Sequence, residues 1–167
     1  MNKENGYSST FSISAGVDAA IGAAYYFVDN IYASAMIGYL QTSSSSYVNQ
    51  IGSSTIVDVV AHNVQVPLEI GLDFPFNKWL GIVFETGLTL YYAVSGYTKT
   101  DKEKISFSKM ENDYNKKIKR FGALYKLSAG LYLAGYRLQF VYGLPLTKST
   151  TDGKKKYFWG ISLGAIL

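Results

Sequence analysis

The sequence predicts an all-β chain that forms an antiparallel up-and-down transmembrane β-barrel, as a single domain over residues 1–167. Three observations predict this fold: long segments in which apolar residues alternate with small or polar ones, connections that alternate between short and long, and aromatic residues near the segment ends. Tyr (15 residues) and Gly (16) are abundant and Pro (3) is scarce. This composition favours strands over helices.

Seven segments show the period-two alternation of a strand with two unlike faces, and the second of them shows it least clearly. The predicted strands are 11–27, 31–41, 64–74, 80–94, 120–133, 136–146 and 157–167. They exceed the usual strand of about 5–6 residues. A tilted strand that spans a bilayer needs about 9–11 residues, so these lengths fit a membrane wall.

The predicted connections are short at 28–30, 75–78 and 134–135, long at 42–55 and 95–119, and intermediate at 147–156. Barrels of the bacterial outer membrane have short periplasmic turns and longer outside loops, so we expect this location. No apolar run is long enough for a membrane-spanning helix. Residues 1–10 contain no signal peptide, so the leader of an exported protein is expected to have been removed or never included.

Seven strands are an odd number, whereas bacterial barrels have even numbers. Three explanations stay open at this point. A first strand before Phe11 is missing, or the barrel closes irregularly, or the long first segment breaks near residues 16–18.

Aromatic residues at both strand ends predict the two interfacial girdles of a membrane barrel. Beside the short turns lie Tyr25, Phe27, Phe74, Phe76, Trp79 and Tyr136, and toward the long loops lie Tyr39, Tyr92, Phe121, Tyr157 and Trp159. A soluble barrel or sandwich would instead carry many Lys and Glu residues on its polar strand faces. Here those faces are rich in Gly and Ser with few charges, which favours the membrane barrel.

Three motifs resemble the PorT-like outer-membrane β-barrel family: residues 66–70 (VPLEI), 84–87 (FETG) and 92–96 (YAVSG). The resemblance extends from Phe11 to Leu167. It departs from the family pattern in lacking the first strand and in ending at Leu167, where the family commonly has an aromatic residue. It implies a small eight-stranded barrel, and it carries over no catalytic residues.

Seven charged residues on the polar strand faces are predicted to meet inside the barrel: Asp18, Glu69, Asp73, Glu85, Arg120, Lys126 and Arg137. The interior of an eight-stranded barrel is just wide enough for side chains to fill it. Buried charges there must be paired, so we expect a structural plug of salt bridges. A paired-carboxylate acid/base site or a proton path is the alternative.

His62 is the chain's one imidazole, and Asp58 lies on the same strand face. We expect a rim histidine without a catalytic role, because Ser53 and Ser54 are predicted to lie in a loop without fixed geometry. The sequence contains no Cys and no metal-ligand spacing or phosphate-binding glycine loop, so we expect no metal and no cofactor.

The positive charge is concentrated in residues 99–120, with eight basic and four acidic residues, and in 148–156. These loops are predicted to face outside, as solvated loops or in contact with lipopolysaccharide phosphates, and nucleic acid is not an expected partner. We expect a non-enzymatic barrel with a charge-plugged lumen and a structural, adhesive or envelope-assembly role. The alternatives are a transport barrel for small apolar molecules and a lipid-modifying enzyme with a site at the rim.

Overall fold

The computed structural model describes residues 12–50, 53–100, 103–113, 118–134, 136–147 and 157–166. Strands dominate this part of the chain, and the one helix within it is short and could not cross a membrane. The elements in chain order are β1 Ser12–Val28, β2 Ile31–Gln50, β3 Ser53–Pro75, β4 Leu80–Lys99, β5 Lys104–Ser106, α1 Phe107–Asp113, β6 Phe121–Leu133, β7 Tyr136–Pro145 and β8 Phe158–Ile166.

One sheet contains all eight strands, and seven of them close into a ring in the order β1-β2-β3-β4-β6-β7-β8. Each neighbouring pair from β1–β2 through β7–β8 is antiparallel, as the predicted up-and-down order requires. The seven predicted strands are therefore confirmed. The short β5 pairs with the far end of β4 and does not enter the ring.

The ring closes through a parallel pairing of β1 with β8, which joins Ser14–Gly22 to Phe158–Ile166. An odd number of strands that alternate in direction must leave one parallel pair, so this closure is the irregular one that the sequence left open. The predicted break near residues 16–18 is wrong, because β1 pairs with β2 without interruption there. The eight-stranded ring that the resemblance implied is not the ring of the described residues, which has seven strands.

The predicted long loop at 42–55 is also wrong, because most of it is strand. β2 continues to Gln50 and β3 begins at Ser53, and the two extensions pair from Thr42↔Ala61 to Gln50↔Ser53. In residues 42–55 most side chains are polar at both odd and even positions. The alternation of apolar and polar residues therefore disappears, and the sequence pattern predicts no strand there. Backbone hydrogen bonds between the strands need no such alternation.

The connection from β4 to β6 folds back onto the inner face of the sheet at its long-loop end, because Gly96 pairs with Ala61, which lines the interior of the ring. Phe107, at the start of α1, is only 1% exposed, and its ring packs against Gly96 of β4. A side chain at position 96 would occupy the place of that ring, so the glycine permits the close approach. This part of the predicted loop 95–119 therefore has a fixed position on the sheet.

The two faces of the ring have opposite chemistry. Leu68, Leu88, Leu127 and Leu163, from four different strands, are 42–52% exposed on the outer face. The inner face carries small, polar and charged residues, and most of its side chains are buried. The outward orientation of the apolar set is thus confirmed. This arrangement is the reverse of a soluble barrel, which buries its apolar face inside.

Candidate functional site: the charge network inside the ring

Five charged side chains from five different strands meet inside the ring. They are at most 4% exposed, and they are Asp18 of β1, Glu69 of β3, Glu85 of β4, Lys126 of β6 and Arg137 of β7. Each lies on the strand face opposite to exposed apolar neighbours, so the alternation itself turns it inward. The predicted inward orientation of these residues is confirmed.

The first group is centred on Lys126. Its Nζ lies 3.0 Å from Asp18 Oδ2 and 2.9 Å from Glu69 Oε1, so one ammonium group bridges β1, β3 and β6. The Gln65 side-chain amide donates a further hydrogen bond of 2.6 Å to Asp18 Oδ1. The side chains of all three charged residues are at most 2% exposed, so these charges rely on one another instead of on water.

The second group is centred on Arg137 and lies nearer to the short turns. Its guanidinium pairs directly with Glu85 and lies 3.6 Å from Asp73 Oδ2. Arg137 also donates to the Tyr32 hydroxyl at 2.6 Å and lies 4.5 Å from the centroid of the Tyr32 ring. Tyr32 in turn donates to Glu85 Oε1 at 2.6 Å.

Neutral donors make up for the small number of cations in the network, which has four carboxylates and two cations. Gln139 donates to Glu85 Oε2 at 2.5 Å and to Ser128 Oγ at 3.2 Å. Tyr26 donates to Asp73 Oδ2 at 2.5 Å, at the short-turn end of the ring. Hydrogen bonds to the charged oxygens offset part of the cost of burying these carboxylates.

Three buried side chains that donate directly to charged members of the network are absent from the predicted set: Tyr32, Gln65 and Gln139. Gln65 and Gln139 were visible on the polar faces of their strands, but a prediction confined to ionisable residues leaves amides out. Tyr32 lies on the second predicted strand, where the alternation is weakest. Alternate residues of a strand face the same side, so a search for every polar residue at an inward-facing position would have identified all three.

Arg120 is a correction to the predicted set, because it does not join the network. It precedes β6 at the long-loop end, and its guanidinium lies 2.5 Å from Glu111 Oε2 of α1. The nearby carbonyls of Ala93 and Val94 accept its other hydrogen bonds. Hydrogen bonding to Arg120 holds the pKa of the Glu111 carboxyl below its ordinary value. This pair anchors the α1 segment beside β4 and β6.

An apolar layer covers the network on the long-loop side. Leu40, Leu124, Val141 and Phe158 form a buried cluster across the ring, and Tyr91 packs against it. The interior of the described ring is therefore filled first by charged and then by apolar side chains. The described residues contain no group of His, Asp or Glu side chains that could hold a metal ion.

All eleven residues of the two predicted girdles have exposed side chains, from 41% for Tyr39 to 70% for Tyr25 and Tyr136. Several pair with other aromatic residues, as in the edge-to-face contact of Phe74 with Phe84 and the stacking of Tyr142 on Tyr157. The outer surface therefore has aromatic rings at both ends of its apolar zone.

His62 lies on the outer face of β3, beside a bulge in the pairing with β4. Its Nδ1 lies 2.5 Å from the Tyr39 hydroxyl, while Asp58 accepts a hydrogen bond from Ser45. The register places Ser95 opposite His62, which a search restricted to neighbouring sequence positions could not find. No hydrogen bond within the described part of the chain joins these two, and none joins His62 to Asp58.

Ser53 and Ser54 begin β3 instead of lying in a loop. Of the two predicted basic loops, residues 148–156 lie outside the described part, as do 101–102 and 114–117 of the first. In the remainder, Lys104 lies over the Tyr97 ring, 3.8 Å from its centroid, and Lys109 is 3.8 Å from Glu103.

No family model, curated protein or solved structure matches this chain. The resemblance to the PorT-like family therefore stays a prediction.

Proposed function

We propose that the chain is an integral β-barrel of the bacterial outer membrane, with a lumen closed by side chains and a structural, adhesive or envelope-assembly role. The observation that carries this proposal is the reversed distribution of polarity around the ring. Large apolar side chains cover the outer face of every ring strand, while ionised groups lie inside. A surface this apolar is stable only against another apolar medium, and a bilayer surrounds a closed ring on all sides.

The filled interior supports a role that does not involve passage of polar solutes. The Lys126 and Arg137 groups lie in successive layers, and the apolar cluster of Leu40, Leu124, Val141 and Phe158 covers them. A transport barrel for small apolar molecules would be favoured by a continuous apolar tunnel. In the described ring, the charged layers interrupt any such path.

An arginine scan across the outer face tests the membrane proposal. Leu127→Arg places a charge in the middle of the apolar zone, and Tyr157→Arg places the same charge near its long-loop edge. For protein refolded in phospholipid vesicles, we expect the first to lower the free energy of unfolding by about 2–4 kcal/mol and the second by about 0–1 kcal/mol. Equal effects of the two substitutions would contradict a bilayer around this surface.

The same proposal includes the absence of hydrolase activity at the rim. Because the Tyr39 hydroxyl occupies His62 Nδ1, no carboxylate orients the imidazole, and within the described residues no serine is hydrogen-bonded to it. We expect refolded protein to leave labelled lipid A and phospholipid intact. Product that is formed by the parent and lost in His62→Ala would overturn this part of the proposal and favour the enzyme alternative.

Contact of the outward basic loops with lipopolysaccharide phosphates is the interaction that the charge distribution favours. Lys residues act as point charges toward phosphate groups, and this attraction weakens as salt screens it. We expect the refolded protein to bind lipopolysaccharide-containing vesicles more strongly at low ionic strength. Binding that is unchanged between low and high salt would exclude this electrostatic contact.

A further inference from the structure

A small cup lies inside the ring on the long-loop side of the apolar cluster. Its volume is about 90 Å³. Leu40, Leu124 and Phe158 form its floor together with Tyr91, and these side chains separate it from the charge network. The cup is therefore a site of its own, apart from the buried charges.

Glycines let the two aromatic rings of the floor lie directly against the backbone of the sheet. A side chain at Gly122 would occupy the place of the Tyr91 ring. A side chain at Gly16 or Gly160 would in the same way meet the Phe158 ring. Because the sheet itself supports both rings, the floor has a defined shape before any ligand binds, which lowers the cost of binding.

Small residues at inner positions of neighbouring strands leave the space above this floor open. Ala61 of β3, Ala93 of β4 and Gly143 of β7 line the wall, where larger side chains would fill the interior. The lining also contains polar, uncharged side chains, which are those of Thr42, Ser44, Asn63 and Thr147. An apolar pocket with a few polar groups is the usual form of a site for a small molecule.

The lining disfavours a charged ligand. None of the described residues that surround the cup is charged, so an ion inside it would lose its hydration without gaining a partner of opposite charge. Lys126 and Arg137 lie beyond the floor and are paired there, and Arg120 at the long-loop end is paired with Glu111. The cup therefore suits an uncharged molecule.

Asn63 restricts the polar part of that molecule. This residue is 1% exposed, and its Nδ2 donates to the carbonyl oxygens of Leu40 at 2.8 Å and of Ala61 at 3.4 Å. Both amide hydrogens are thus in use, and the atom that Asn63 can offer to a ligand is its carbonyl oxygen, an acceptor. A ligand held at this oxygen needs an O–H or N–H donor.

From this geometry we infer that the cup binds a small uncharged molecule with a short aliphatic chain and a hydroxyl or amide donor. The chain packs on the Leu124–Phe158 side of the floor, and the donor bonds to Asn63 Oδ1. A cavity of about 150 Å³ accepts a benzene molecule, so this cup suits a ligand of about four or five non-hydrogen atoms. The site needs only the folded ring, so its test does not depend on where in the cell the protein resides.

Butan-1-ol is the probe, and diethyl ether is its matched control, because the two are isomers and the ether has no O–H donor. Butanoate and butylammonium are the charged counterparts. The protein is refolded into phospholipid nanodiscs with isotope-labelled alanine methyl groups, and NMR titrations follow the methyl signals of Ala61 and Ala93 in the cup wall. The methyl group of Ala129, on the exposed outer face, reports partition of each probe into the bilayer.

We expect butan-1-ol to shift the Ala61 and Ala93 signals until the site is saturated, and diethyl ether to bind about two- to tenfold more weakly, since it makes no hydrogen bond to Asn63. We expect neither ion to cause a saturable shift. The absence of a saturable shift with butan-1-ol would overturn the site. Equal binding of the alcohol and the ether would overturn the role of Asn63, and an ion that binds as tightly as the alcohol would overturn the uncharged class of ligand.

Filling the cup provides the matched variants. Ala93→Leu adds three carbons to a wall residue that is 1% exposed, whereas Ala129→Leu makes the same change on the exposed outer face. We expect the saturable shift of Ala61 to be lost in the first variant and retained in the second. If Ala93→Leu fails to refold, Ala61→Leu fills the cup from the neighbouring strand and is followed at Ala93. A folded variant with a filled cup that binds butan-1-ol as the parent does would refute the site.

Discussion

Removing the Arg137 guanidinium is the most informative perturbation of the interior. Arg137→Leu replaces the guanidinium side chain with a shorter apolar one and leaves Glu85, whose side chain is 1% exposed, without its cation. Asp73 loses its pairing at the same time, and Tyr32 loses a donor. Breaking a buried pair by removing one partner costs about 3–5 kcal/mol, because the remaining charge is not solvated. We expect a loss of that size in the free energy of unfolding.

Urea unfolding in phospholipid vesicles, followed through the fluorescence of the two tryptophans, measures this loss. Arg120→Leu is the matched control, since its partner Glu111 lies near the surface and stays solvated when the arginine is removed. We expect this control to unfold at nearly the same urea concentration as the parent. Adding Glu85→Gln to Arg137→Leu removes the unpaired charge and should recover part of the stability. If Arg137→Leu unfolds together with the parent and the control, the interior is not held by this pairing.

Two further predictions concern packing and pH. Gly71→Val places a side chain where the Tyr32 ring lies and should cost about 1–3 kcal/mol of unfolding free energy, whereas Gly164→Ala, whose added methyl meets its neighbours at 3.8 Å or more, should be tolerated. If unfolding in vesicles shows that Gly71→Val and Gly164→Ala lose equal amounts of free energy, the packing of the Tyr32 ring against Gly71 is contradicted. The lowered pKa of Glu111 means that its bond to Arg120 stabilises the docked α1 at pH above the ordinary value of 4.5, and that this contribution is lost as pH falls below it. Hydrogen exchange in residues 103–113 should therefore show less protection in acid once corrected for the intrinsic pH effect, and Glu111→Gln should remove the pH dependence.

The strands of the ring were predictable because each has one apolar and one polar face. That alternation identified all seven and turned Glu69, Glu85, Lys126 and Arg137 inward, as the structure has them. It could not identify the β2 extension, whose residues are mostly polar at both parities, or the β3 extension, where Ile56, Val57, Val59 and Val60 place apolar residues at both parities. Strand pairing there rests on backbone hydrogen bonds, which have no counterpart in side-chain periodicity.

Contacts between residues far apart in the chain could not be predicted from the sequence pattern either. Periodicity gives strand directions but not the pair that closes the ring, so the parallel β1–β8 pairing stayed one of three explanations. Arg120 is at an inward-facing position of the alternation, yet its guanidinium pairs with Glu111 of α1. The sequence of the loop shows no helical periodicity that would have predicted α1. The bridging of Asp18 and Glu69 by Lys126 depends on the register of three strands, which the sequence does not specify.

The central claim is that lipid surrounds the outer face of the ring, and β7 allows the most direct test of it. Leu138, Phe140 and Tyr142 are 39–57% exposed, whereas Gln139 and Val141 between them are at most 4% exposed. The chain has no cysteine, so single cysteines at 138–142 can each carry a small fluorophore in otherwise unchanged protein. In vesicles with brominated acyl chains, we predict strong quenching at 138, 140 and 142 and weak quenching at 139 and 141. Weak lipid quenching at all five positions, with aqueous iodide reaching 138 and 140, would contradict the membrane-embedded barrel.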